Sequence, residues 1–179
     1  MTEKQKEPWL NYLALTTVIL AVCATLSTFK GGSYSTRAVL AQSQASDNWS
    51  YYQAKSIKGY LYEMQKEKLE LELKEKRQKL PAAVIVDYEK KIESYANKIK
   101  KYEEEKVKIQ EDARAQESIR NNSQKHSQTF GMAVIFLQIA ILLSSIAALL
   151  KKKTAWVLGL ITGLFGIFYF ASGFLLFAK

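Results

Sequence analysis

The sequence predicts an all-α membrane protein. It has three transmembrane helices and a long antiparallel, coiled-coil-like helical hairpin between the first and the second. Two observations carry this reading. Residues 10–29, 127–150 and 154–178 contain no charged side chain, so charge is segregated at the scale of a bilayer rather than of a helical turn. The stretch 30–126 between the first two is densely charged and helical in pattern, with one strong breaker, Pro81, near its middle.

The first apolar segment, 10–29, follows a short tail of residues 1–9. Its 20 residues rise about 30 Å at 1.5 Å each, the hydrocarbon thickness. Lys4 and Lys6 before it allow a signal peptide as the rival reading. The apolar run is too long for a signal core, however, and lacks a small-x-small cleavage site. A lipoprotein-like cleavage before Cys23 is disfavoured by the bulk of Val22, so an uncleaved anchor is expected. Residues 130–150 form the second span and 154–178 the third. Only the basic loop 151–153 separates them, which makes them an antiparallel membrane pair.

That loop also sets the orientation. Three consecutive lysines in so short a connection resist translocation, so Lys151–Lys153 and the N-terminal tail are expected in the cytoplasm. Trp9, Tyr12 and Trp156 then fall at one interface as an aromatic belt. Residues 30–129 lie on the other side, despite the 20 Lys and Arg within 30–126, because long loops translocate largely regardless of charge.

Within 30–129, Gly31-Gly32-Ser33 reads as a hinge. Two arms follow, 36–80 and 84–126, with a turn at 81–83. Their similar lengths return the chain to the membrane where the second span begins. The second arm carries a heptad: Tyr88, Ile92, Tyr95, Ile99 and Tyr102 are spaced 4, 3, 4, 3, with Lys106 as a polar interruption further on. In the first arm Ala54, Ile57, Leu61, Met64 and Leu71 share one register, while Leu69, Leu73 and Leu80 lie beside it. A face this wide suggests more than one neighbour.

Candidate interaction residues fall in three places. The stretch from Gln42 to Lys58 is rich in amides, hydroxyls and aromatics, including Trp49, Tyr51, Tyr52, Gln53 and Lys55. With the turn at 81–83, it falls near the polar foot Asn121–Gln128, which contains the single histidine, His126. This polar base reads as a subunit interface more readily than as a ligand or head-group site, and His126 as a hydrogen-bonding residue. In the membrane segments, Gln138 is the most polar residue, read as one interhelical hydrogen bond or, less readily, a pore contact. Gly159-x-x-x-Gly163 permits close backbone approach to a helix in this chain or in another.

Several classes are excluded by composition. One Cys and one His supply no disulfide framework and no ordinary zinc set, and no cofactor is expected. The net charge of +9 arises largely from interleaved Lys and Glu and from lysines beside apolar segments, so anionic lipid rather than nucleic acid is the expected partner. No span contains an Asp, Glu, Lys, Arg or His, the usual mark of proton relays and ion-coupled carriers. No acid, base or nucleophile set is apparent, and no enzyme activity is expected.

The segment Trp9-Leu10-Asn11, then Lys30-Gly31-Gly32, then above all Ala45-Ser46-Asp47-Asn48-Trp49-Ser50-Tyr51-Tyr52-Gln53-Ala54-Lys55-Ser56-Ile57-Lys58, resembles the bacterial membrane family called domain of unknown function 4337. Gln138-Ile139-Ala140-Ile141 and Ser144-Ser145-Ile146-Ala147 fit as well. The resemblance covers nearly the whole chain. It implies a bacterial inner-membrane location, which with the orientation set by Lys151–Lys153 puts the hairpin in the periplasm, and it supplies no activity or catalytic residue. The expected function is that of a non-enzymatic, self-associating scaffold or interaction platform, with an unidentified protein partner as a further possibility. The alternative is a subunit of an oligomeric channel, its pore lined by Gln138, Ser144, Ser145 or Thr162.

Overall fold

The computed structural model describes residues 8–175. The tail before Pro8 and the end of the expected third span, 176–178, lie outside them. The described chain is all-helical: α1 (Pro8–Lys76), α2 (Ala82–Leu150) and α3 (Lys153–Leu175). By length and composition, all three contain a stretch able to cross a membrane.

Helix boundaries follow local chemistry, with two corrections to the sequence reading. Gly31-Gly32-Ser33 is not a hinge. α1 runs through it unbroken, and no glycine adopts a positive φ. Gly31 is selected for closeness instead: a Cβ there would stand 3.1 Å from Cβ of Phe130, and Ser127 Oγ donates to its carbonyl at 3.1 Å. The link between α1 and α2 is also earlier than residues 81–83. α1 stops at Lys76, with Lys74 and Lys76 placed favourably at the negative end of the helix dipole. Pro81 opens α2 rather than sitting inside a turn, its carbonyl accepting from the N–H groups of Val84 and Ile85. A ring that fixes φ and disfavours helix in the residue before it keeps Leu80 out of a helix and starts the next one at Ala82.

The second link is tighter. Lys151 has φ 49°, and the Lys152 N–H donates to the Ala147 carbonyl at 3.2 Å. This is a Schellman-type stop with lysine where glycine is usual.

The chain divides into two compact units, Met1–Leu40 with Ile119–Lys179, and Ala41–Ser118. In the first unit, buried Leu20 and Ala24 of α1 cluster with Ala133, Leu137 and Ala140 of α2, against Tyr169 and Phe170 of α3. A smaller cluster joins Trp9 and Leu13 to Ala147, beside Trp156. Glycines of α3 make these approaches possible. A Cβ on Gly166 would lie 2.7 Å from Leu137 Cγ and 3.0 Å from its backbone nitrogen. One on Gly159 would lie 3.1 Å from the Ala140 carbonyl oxygen.

In the second unit, α1 and α2 meet through pairs whose positions advance along one helix as they recede along the other. Trp49 meets Glu117, Lys55 meets Glu105, Tyr62 meets Lys98 and Glu72 meets Tyr88. The packed face of α1 runs Tyr52, Lys55, Gly59, Tyr62, Lys66, Leu69 and Leu73, all buried or half-buried at 3- and 4-residue spacing. The register of Ile57, Leu61, Met64 and Leu71 is the exposed one. Tyr88, Tyr95 and Tyr102 of α2 account for the choice. Tyr88 donates its hydroxyl to Glu72, the rings of Tyr95 and Tyr102 lie against Tyr62, and Lys55 lies over Tyr102, contacts that an aliphatic face does not supply.

Candidate interaction site

The residues singled out between Gln42 and Lys58 become a polar and aromatic lattice in the second unit. Lys55 is its centre. Its Nζ lies 2.6 Å from Glu105 Oε2, and it also lies over the rings of Tyr51 and Tyr102, at 5.1 and 5.3 Å from their centroids. The Glu105 carboxylate, then the bond to Tyr51, holds the Lys55 ammonium above the ordinary lysine range. Glu105 is held below the usual carboxylate range, first by Lys55 and further by Lys101 and Lys108.

The motif repeats along the same face. Lys106 pairs with Glu103 at 2.7 Å and lies 5.5 Å from the Tyr52 centroid. Lys98 lies over Tyr62 at 4.7 Å and over Tyr95 at 5.9 Å. The polar interruption at Lys106 is thus an inward-facing cation against an aromatic ring, an arrangement that is favourable when partly desolvated. Trp49 donates its indole N–H to Glu117 at 3.0 Å and meets Tyr52 edge-on. Tyr51 and Gln53 are exposed. These contacts tie α1 to α2.

His126 belongs to the first unit. Its ring stacks on Tyr34, with centroids 4.5 Å apart and planes 12° apart. Nδ1 lies 2.7 Å from the Gly173 carbonyl oxygen. A carbonyl can only accept, so Nδ1 carries the proton. His126 and Ser127 therefore hold α3 and α1, respectively, to α2. Phe130, fully buried, continues the junction against Tyr34, Phe170 and Phe174. Among the described residues, no group of three or more His, Cys, Asp and Glu is placed to hold a metal ion.

Residues 9–176 match the family model described as a domain of unknown function (DUF4337). The chain belongs to this family. No curated protein and no solved structure matches it.

The DUF4337 match thus includes the Lys55 lattice, the His126 junction and both glycines of the Gly159-x-x-x-Gly163 motif. Both glycines are buried against the chain itself. Gly159 faces Ala140, Leu143 and Ser144, and Gly163 faces Leu20 and Ala140. Gln138 is different: it lies exposed on α2 and bonds to no described residue. Sequence reasoning missed Glu105, Glu117, Tyr34 and Tyr62. Tyr62 sits at a heptad position of the packed register, which was the available signal. Glu105 and Glu117 carried none, being two acids among many on a charged helix.

Proposed function

We propose that this DUF4337 protein is a non-enzymatic, multi-pass inner-membrane protein that self-associates as a scaffold or interaction platform. In this reading α1, α2 and α3 cross the bilayer, the N-terminus and Lys151–Lys153 face the cytoplasm, and residues 41–118 form an antiparallel helical hairpin outside. One observation carries it. After α1 has packed one face on α2, a second apolar face stays uncovered: Ile57, Leu61, Met64 and Leu71 are 60%, 52%, 66% and 61% exposed. Their 4-3-7 spacing is that of a coiled-coil seam, and an apolar stripe of this kind outside a membrane marks an interface.

The membrane segments support the same reading. Gln138 and Ser145, seven residues apart, lie on one exposed face of α2. A carboxamide facing lipid has no hydrogen-bond partner there, whereas the same residue of a neighbouring copy provides one. The channel alternative has weaker support. Ser144 donates to the Ala140 carbonyl, Ser145 to that of Ile141 and Thr162 to those of Leu158 and Gly159, so all three expected pore-lining hydroxyls are satisfied within the chain.

The test is light-scattering mass measurement on the full chain in mild detergent, paired with oxidative crosslinking of Leu61→Cys and Met64→Cys in a Cys23→Ser background. Oligomers crosslinked at Leu61 or Met64 are the expected result. A monomer at micromolar concentration, with no crosslink between copies, would sink the proposal. Orientation is checked separately with an impermeant thiol reagent on intact cells. Ser94→Cys should label and Lys152→Cys should not.

A further inference from the structure

A crevice of about 380 Å³ lies between α1 and α3, within the first unit. It is lined by Thr16, Ile19 and Leu20 of α1 and by Leu160, Gly163, Leu164 and Ile167 of α3. Its size falls in the range of ligand sites, and its lining is apolar apart from one hydroxyl. That hydroxyl is already satisfied: Thr16 Oγ1 donates to the Leu13 carbonyl and accepts from Trp156 Nε1. A polar ligand would gain nothing inside. A hydrocarbon chain would.

The rest of the site is read along α3. Lys153, Trp156, Leu160, Leu164 and Ile167 are spaced 3, 4, 4 and 3, which places them on one stripe of the helix. At 1.5 Å per residue the lining begins about 10 Å beyond Lys153 and ends about 21 Å beyond it. An acyl chain whose head group rests at the lysine reaches just that depth in a bilayer leaflet. Trp156 and Trp9, with ring centroids 6.0 Å apart, stand between head and tail, and Lys153 Nζ lies 6.0 Å from the Trp9 centroid.

Charge decides which lipid. The described residues of this unit include seven Lys and Arg and not one Asp or Glu. Residues 1–7 add Glu3 and Glu7 against Lys4 and Lys6, which balance. Lys151, Lys152 and Lys153 are all exposed, with no carboxylate among the described residues of the unit to neutralise them. We infer that this crevice and the lysine turn, about 10 Å from it along α3, form a binding site for an anionic phospholipid, its acyl chain along Leu160–Ile167 and its phosphate at Lys151–Lys153. The inference rests on the membrane-spanning reading above, and a phosphate with a single net charge and no cationic head group suits the lysines best.

The test uses the full-length protein in an uncharged detergent with equimolar phosphatidylglycerol and phosphatidylcholine. Native mass spectrometry should show phosphatidylglycerol retained several-fold over phosphatidylcholine. The triple substitution Lys151→Gln, Lys152→Gln, Lys153→Gln should bring the ratio near one. Leu164→Trp, which fills the crevice and leaves the lysines in place, should lower retention of both lipids. Melting of the wild-type protein gives a check that needs no variant: the extra stabilisation by phosphatidylglycerol should fall away at about 1 M salt, where the screening length is about 3 Å. Equal retention of the two lipids by the wild type would overturn the site. So would a copy of the chain, rather than lipid, protecting Leu164→Cys from alkylation. Carbonate washing of membranes separates the two readings. Release of the chain into the wash overturns the membrane reading itself, while a retained chain without lipid preference overturns only the lipid site.

Discussion

Lys55 and Glu105 meet across α1 and α2 at 2.6 Å, between the rings of Tyr51 and Tyr102. This pair makes the stability of the second unit depend on pH at both ends. Glu105 has a lowered pKa, so its contribution is present above the ordinary carboxylate value and is lost as pH falls through the depressed one. Lys55 has a raised pKa, so its contribution is present below the ordinary lysine value and is lost as pH rises through the elevated one. Glu105→Gln should lower the melting temperature at pH 7, and the gap to wild type should close in acid as Glu105 is protonated. A gap that persists unchanged to pH 2 would show that the ion pair is not its cause.

Two helical glycines should respond in opposite directions to alanine. At Gly166 the added methyl meets the side chain and backbone of Leu137 within 3.0 Å, so α3 must move away from α2. A loss of about 1–3 kcal/mol is expected from such overpacking. At Gly32 nothing lies within 4 Å, and the helix continues through it. Gly32→Ala should gain about 0.5–1 kcal/mol from helix propensity alone. Thermal melts in one detergent compare the two. A loss at Gly32 would restore the idea of a hinge there.

The turn between α2 and α3 holds a third case. Lys151 occupies the left-handed region at φ 49°, which costs a side-chain-bearing residue about 1–2 kcal/mol relative to glycine. Lys151→Gly should therefore raise stability by about 1 kcal/mol in zwitterionic detergent, where its charge has no anionic partner. The melting temperature reads this directly.

At the three-helix junction, His126→Ala removes the donor to the Gly173 carbonyl and the stack on Tyr34. The hydrogen bond alone is worth about 1 kcal/mol. His126→Asn restores an N–H of similar reach without the ring, so it should recover part of the loss. Hydrogen exchange at the C-terminal end of α3 should rise in the alanine variant and less so in the asparagine variant. Equal exchange in all three would mean that the bond does not hold α3.

The sequence by itself determined the helical class and the three apolar segments. Charge-free stretches of this length are long and apolar enough to cross a membrane as helices, and Pro81 cannot sit inside a helix. It also marked Trp49–Lys55, His126 and the glycines of the third segment as unusual. It could not say which face of α1 packs. Ile57, Leu61, Met64 and Leu71 make the tidier apolar register, yet Gly59, Tyr62, Leu69 and Leu73 take the contact with α2. A helix's hydrophobic pattern describes its own surface, whereas packing depends on the facing surface. Here that surface is a row of tyrosines, whose rings meet Tyr62 and Lys55 and of which Tyr88 bonds to Glu72. The same reason governs the glycines. A sequence shows that Gly31 could bend and that Gly159 could admit a neighbour. Only the position of Phe130 makes the first a site of close approach, and only Ala140 and Ser144 give the second its partner within the chain.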